Sequence, residues 1–251
     1  AIARSGMGMC GDTHLENLYI GRNIRYSATD SDGYSPFYNL TSLKNVTFSN
    51  AGMVTECNDY LLAGCSTVEN LSLPESLVTI GNHTFSDMTT LQYCRMFNNV
   101  ESVGEYGFAG DVSLTDLTFS KKVKTLRNNL FMNCTSLPLF TVHPAVTSIE
   151  DNAFMNCNSL ATLSFTDSND LLNIGRRNEN GNFAAMFSDS PVQSLYLSRW
   201  LIYNIDEESY APFYNRSTLT DPRLGKTLGD IGTFLFEKCS SIATGNIPGG
   251  E

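Results

Sequence analysis

The stretch Val142-His143-Pro144-Ala145-Val146-Thr147-Ser148-Ile149-Glu150-Asp151-Asn152-Ala153-Phe154-Met155-Asn156-Cys157-Asn158-Ser159-Leu160-Ala161-Thr162-Leu163-Ser164-Phe165 decides the fold. Its apolar skeleton is Val146, Ile149, Phe154, Cys157, Leu160, Leu163 and Phe165. One unit earlier the same slots hold Val123, Leu126, Phe131, Cys134, Leu137, Phe140 and Val142. Before that come Val100, Val103, Phe108, Asp111, Leu114, Leu117 and Phe119, and then Leu77, Ile80, Phe85, Met88, Leu91, Cys94 and Met96. The last slot falls at 96, 119, 142 and 165, a step of 23 residues each time. A fixed period of this length is the signature of stacked structural repeats.

The pattern extends outward with insertions and deletions. Val54, Cys57, Leu62, Cys65, Val68, Leu71 and Leu73 fill it on one side, and Leu228, Ile231, Phe236, Cys239, Ile242 and Ile247 near the far end. Longer units end near 48, 197 and 224, and Leu15, Leu18 and Ile20 open the series. Residues 1–251 therefore read as a single solenoid, with repeats over about 15–247. Each unit has two halves. Leu160-x-x-Leu163-x-Phe165 ends in alternation, the mark of a short strand with Leu163 and Phe165 facing in. Ile149 to Cys157 spaces its apolar residues by five and three, which predicts a short helical or 3₁₀ turn. One unit cannot bury its apolar side alone, whereas stacked units share a core. The expected fold class is thus an α/β repeat: a solenoid with one parallel sheet face and short helical or 3₁₀ turns on the other.

The frame Val146-x-x-Ile149-x-x-x-Ala153-Phe154-x-x-Cys157-x-x-Leu160-x-x-Leu163 resembles the BspA-like leucine-rich repeats of bacterial surface proteins, common in Bacteroides and related gut and oral bacteria. The resemblance covers residues 15–247 or so and implies a leucine-rich-repeat solenoid. It also implies a secreted or surface-anchored protein, extracellular or at the cell surface, that acts as a non-catalytic adhesion module for host or bacterial surface proteins. The alternative it leaves open is a glycan-recognition or scaffold segment of a larger surface enzyme or uptake system. The first ten residues carry no signal-peptide-like apolar stretch, so the expected address rests on the resemblance.

Composition narrows the function classes. The 16 basic and 26 acidic residues leave a formal net charge of -10. That argues against nucleic acid and anionic bilayers as partners, since both need a cationic surface. No apolar run approaches the roughly 18 residues of a membrane span. The three histidines, His14, His83 and His143, are scattered, and no nucleophile has a paired base at recognisable spacing. The chain is therefore read as no enzyme, with no catalytic residue and no cofactor. Cys65, Cys134, Cys157 and Cys239 recur in one slot, which predicts buried free thiols rather than C-x₂-C metal ligands. Asp30-Ser31-Asp32-Gly33 lacks the distal Glu of a calcium loop and reads as a solvated turn.

Two features offer a binding surface. The outward strand positions form a line, Tyr19, Thr47, Ser72, Arg95, Thr118, Thr141, Ser164, Tyr196 and Arg223, that is polar through its middle. The longer units repeat a motif: Arg22 to Tyr26 matches Arg199 to Tyr203, and Tyr34 to Asn39 matches Tyr210 to Asn215. Arginine and aromatic side chains dominate binding hot spots. The residues expected to meet a partner are therefore Arg176, Arg177, Trp200 and Tyr203 in one patch, with Tyr26 in the distant first insert. The partner expected is a protein, with a glycan as the alternative.

Overall fold

The structure, a computed structural model, describes residues 10, 13–27, 35–175, 187, 190–203, 211–225 and 235–243. Among these lie sixteen short strands: β1 (Asn17–Ile20), β2 (Asn45–Phe48), β3 (Glu56–Cys57), β4 (Asn70–Ser72), β5 (Thr79–Ile80), β6 (Tyr93–Arg95), β7 (Ser102–Val103), β8 (Asp116–Thr118), β9 (Thr125–Leu126), β10 (Leu139–Val142), β11 (Ser148–Ile149), β12 (Thr162–Phe165), β13 (Leu172–Ile174), β14 (Ser194–Leu197), β15 (Leu201–Ile202) and β16 (Asp221–Leu224). Every pairing is parallel and joins one repeat to the next, as in Leu163 beside Phe140 and Leu195 beside Leu163. The outward line predicted from the sequence is in register: Ser72, Arg95 and Thr118 adjoin, as do Thr141, Ser164, Tyr196 and Arg223.

The sequence reading needs two corrections. The described residues contain no helix or 3₁₀ segment, and the chain builds two ladders rather than one. The first ladder runs through β1-β2, β4-β6-β8 and β10-β12-β14-β16, the second through β3-β5-β7 and β9-β11-β13-β15. The second consists of the Ile149-slot residues, pairing Cys57 with Ile80 and Leu126 with Ile149. The reason lies in the backbone between that slot and the Cys slot. Tyr60, His83, Tyr106, Asn129 and Asn152 lie at φ between 52° and 60°, and Gly64, Asp87, Gly110, Asn133 and Asn156 form a second left-handed column. Two left-handed residues per unit interrupt any right-handed turn and curl the chain back. The backbone groups are instead bonded between repeats, as in Phe85 N–H to the Gly107 carbonyl and Phe131 N–H to the Ala153 carbonyl. Asn and Gly tolerate this conformation, which accounts for the Asn-rich turns.

The interior is one column of phenylalanines with aliphatic residues around it. Phe85, Phe108, Phe131, Phe154, Phe187 and Phe213 are each fully buried and stack with centroids 5.3–5.7 Å apart. All seven cysteines are free thiols, and six of them are buried. Those of the recurring slot donate Sγ–H to a phenylalanine carbonyl of the preceding unit: Cys65 to Phe37, Cys134 to Phe108, Cys157 to Phe131 and Cys239 to Phe213, at 2.9–3.2 Å. Ser190 fills the same slot and donates to the Phe154 carbonyl at 3.0 Å.

Candidate interaction surface

The second ladder presents the surface that stands out. Through β5, β7, β9 and β11 its outward residues are Thr79, Ser102, Thr125 and Ser148. The same column continues as Asn173 of β13 and Ile202 of β15. Strand alternation puts Leu172 and Ile174 inside and Leu171 and Asn173 outside. In the neighbouring strand Arg199, Leu201 and Tyr203 turn inward and Trp200 and Ile202 outward. The Leu172 N–H bonds the Trp200 carbonyl at 3.0 Å, and Asn173 pairs with Ile202. Leu171, Trp200 and Ile202 therefore form one contiguous patch, 52%, 38% and 45% exposed. Among the described residues this is the place where three large exposed hydrophobic side chains meet on adjoining strands.

Arg199 anchors the patch from beneath. Its side chain is fully buried, and its guanidinium donates to the Asp170 carbonyl at 3.1 Å and to the His143 carbonyl at 3.4 Å. A buried cation needs such acceptors, since an isolated one is strongly disfavoured. These bonds tie the start of β15 to two earlier turns and so set the direction in which Trp200 leaves the surface.

The predicted site residues fall in different places. Trp200 is exposed as expected. Tyr203 is half-buried against the core, and burial pushes its phenol up to about 12. Tyr26 is also half-buried; its hydroxyl donates to the Asp59 carbonyl at 2.9 Å, and burial raises its phenol above the usual range. Tyr26 therefore fastens its unit to the next repeat, and Tyr203 packs against the core. Arg176, Arg177, Asp30–Gly33, Tyr34 and Tyr210 lie outside the described residues. The matched arginines diverge: Arg199 is buried whereas Arg22 is exposed. Sequence reading missed Leu171 and Ile202. For Ile202 the available signal was an aliphatic residue in the column that holds Thr79, Ser102, Thr125, Ser148 and Asn173; Leu171 stands in register with the buried Val146 and gave none.

Other clusters have structural roles. His83 is stacked between Tyr60 and Tyr106, with centroids 4.6 and 4.5 Å away. A groove of about 510 Å³ lies where β2 and β4 part, lined by Val46, Phe48, Leu73, Pro74 and Phe97. It follows the longer chain step between Phe48 and Leu73. No group of three or more His, Cys, Asp or Glu suited to a metal occurs among the described residues, and no helix there is long and apolar enough to cross a membrane.

The sequence matches the model of the BspA type leucine rich repeat region over residues 12–138, 55–177 and 135–250. A leucine-rich repeat protein from Bacteroides ovatus ATCC 8483 has a similar fold, with TM-score 0.51 at 19% identity over 90% of this chain and 65% of that one. The chain thus spans just under two thirds of that relative. A leucine rich cell surface protein from Faecalibacterium prausnitzii A2-165 aligns at TM-score 0.35 and 14% identity, over 84% of this chain and 60% of that one. The pneumococcal vaccine antigen PcpA aligns at TM-score 0.31 and 14% identity, over 66% of this chain and 58% of that one. No curated protein matches the chain.

Proposed function

Because the chain belongs to the BspA-type leucine-rich repeat family, we propose that it is a non-catalytic module of the cell surface that docks a protein partner through Leu171, Trp200 and Ile202. The observation that carries this reading is the contiguous exposed apolar patch that Leu171, Trp200 and Ile202 form where β13 pairs with β15. Contiguous apolar area on a folded surface marks an interaction site, and tryptophan is the residue type most enriched where binding energy concentrates. The rigid ladder beneath it and the Arg199 anchor hold the patch in one shape, so little ordering entropy is lost on docking. Branched aliphatic neighbours favour a protein over a sugar: Leu171 and Ile202 offer neither a stacking face nor a hydrogen bond to a hydroxyl-rich ligand. Buried thiols suit an exported protein, because burial alone protects them in an oxidising setting.

The test is affinity for a partner captured with the intact protein. The double change Trp200→Ala with Ile202→Ser should weaken binding at least about tenfold, or about 1.4 kcal/mol, with the thermal melt unchanged. Unaltered affinity would remove the patch, and a loss caused instead by Arg95→Ala with Thr118→Ala would assign the partner to the first ladder.

A further inference from the structure

Asp111 occupies the slot that holds Cys65, Cys134, Cys157, Ser190 and Cys239 in other units. It is fully buried, and no salt bridge reaches it among the described residues. The side chain in this slot does two things. Its acceptor meets a backbone N–H of the preceding unit: the Cys134 sulfur lies on the Asp111 N–H, Cys157 on Cys134, and Cys65 on Leu40. Its donor meets a phenylalanine carbonyl of that unit, as the four thiols and Ser190 do. Asp111 performs the first role with Oδ1, which accepts the Met88 N–H at 2.9 Å. Its other oxygen, Oδ2, is buried without a donor. By the register of the repeat, the carbonyl left for it is that of Phe85, at the offset that joins Cys134 to Phe108 and Cys157 to Phe131.

We propose that Asp111 is held as the neutral carboxylic acid and donates its proton from Oδ2 to the Phe85 carbonyl, making a proton-dependent latch in the middle of the solenoid. An ionised Asp111 would set a carboxylate oxygen against a carbonyl oxygen in a dry core, with no cation to offset it. The groups that face it favour the neutral form. Cys94 of β6 and Cys134 of the next unit are buried thiols, and Asp87 in the preceding turn is a second acid. Burial first, and the Asp87 charge after it, hold the carboxyl well above the usual carboxylate range, against the pull of the Met88 N–H. The folded state therefore keeps a proton that the unfolded chain gives up near pH 4. A group raised in this way stabilises fully below its unfolded value, and that stabilisation is lost as pH rises through its folded value.

Two measurements test this. Infrared spectra of protein carrying ¹³C-carboxyl aspartate should show a protonated carboxyl band at neutral pH that is absent from Asp111→Asn. Absence of that band from the wild type would overturn the proposal. The urea midpoint of the wild type should fall, relative to Asp111→Asn, as pH is raised above the ordinary carboxylate range, because the Asn amide keeps both hydrogen bonds and does not titrate. Parallel pH profiles would likewise overturn it. Should Asp111→Asn not fold, Asp111→Cys, the residue native to the slot, takes its place in both comparisons.

Discussion

Ala161 gives its backbone N–H to the carbonyl of Pro138 at 2.9 Å, but Pro138, in the same slot one repeat earlier, has no N–H to pass on. The slot otherwise carries this bond from unit to unit, as in Gln92 to Glu69, Thr115 to Gln92, Gln193 to Ala161 and Thr220 to Gln193. The first ladder stops between β8 and β10 at this proline, and the inward residue there, Leu117, is only half-buried, whereas Leu71, Cys94, Leu163 and Leu195 are fully buried. Pro138→Ala restores the donor. The new bond, at about 1 kcal/mol, is partly offset by the freer unfolded chain, at about 0.4–1 kcal/mol. Stability should therefore change little, while amide exchange at Leu139 should slow at least about tenfold as β8 and β10 pair. Unchanged exchange would show that the proline is not what interrupts the ladder.

The phenylalanine column sets the cost of core damage. Phe131 stacks on Phe108 at 5.7 Å and on Phe154 at 5.3 Å, and meets Phe140 and Phe119 edge-on or tilted. Phe131→Ala should cost about 3–5 kcal/mol in denaturant melts, from lost burial plus the cavity left between rigid neighbours. A cost below about 1 kcal/mol would contradict the packing described.

Cysteine reactivity should divide by place in the fold. Burial pushes the thiols of Cys57, Cys65 and Cys157 up to about 12, and raises those of Cys94, Cys134 and Cys239. A thiol of ordinary pKa, about 8.5, is partly ionised at about pH 8, but these remain protonated there. A thiol reagent should therefore modify the half-exposed Cys10 in the native protein and reach the other six only after unfolding. Rapid native modification of Cys134 or Cys157, or a disulfide between them, would contradict this.

Arg199 should matter more than an arginine at the surface. Arg199→Met keeps the apolar stem but leaves the Asp170 and His143 carbonyls without their donor. The expected loss is about 1.5–3 kcal/mol, in the range for hydrogen bonds to a charged group. The equivalent change at the exposed Arg22 should fall within about 0.5 kcal/mol of neutral. Equal effects at the two positions would mean that the buried contacts carry no stability.

The solenoid was legible because its core slots recur: Phe108, Phe131 and Phe154 are equivalent in sequence and adjoin in space. The second ladder was not. Ser148-Ile149 is too short to show alternation, and the left-handed φ of Asn152 and Asn156 depends on bonds to neighbouring repeats that no single unit displays. The exposure of Trp200 agrees with the expectation drawn from its place in a longer unit. Leu171 and Ile202 were not legible, because their outward orientation follows from the pairing of β13 with β15. Tyr26 and Arg199 share a repeated motif with Tyr203 and Arg22, yet repetition does not distinguish a side chain that meets a partner from one that bonds a neighbouring repeat.

Trp200 is the only tryptophan in the chain, so it reports on the proposed docking surface directly. With 5-fluorotryptophan incorporated, the protein gives a single fluorine resonance from the patch. Titration with a partner whose binding is followed independently by calorimetry should shift that resonance and shield it from solvent in step with the heat released. Calorimetric binding with the resonance unmoved and still open to solvent would contradict docking at Leu171, Trp200 and Ile202.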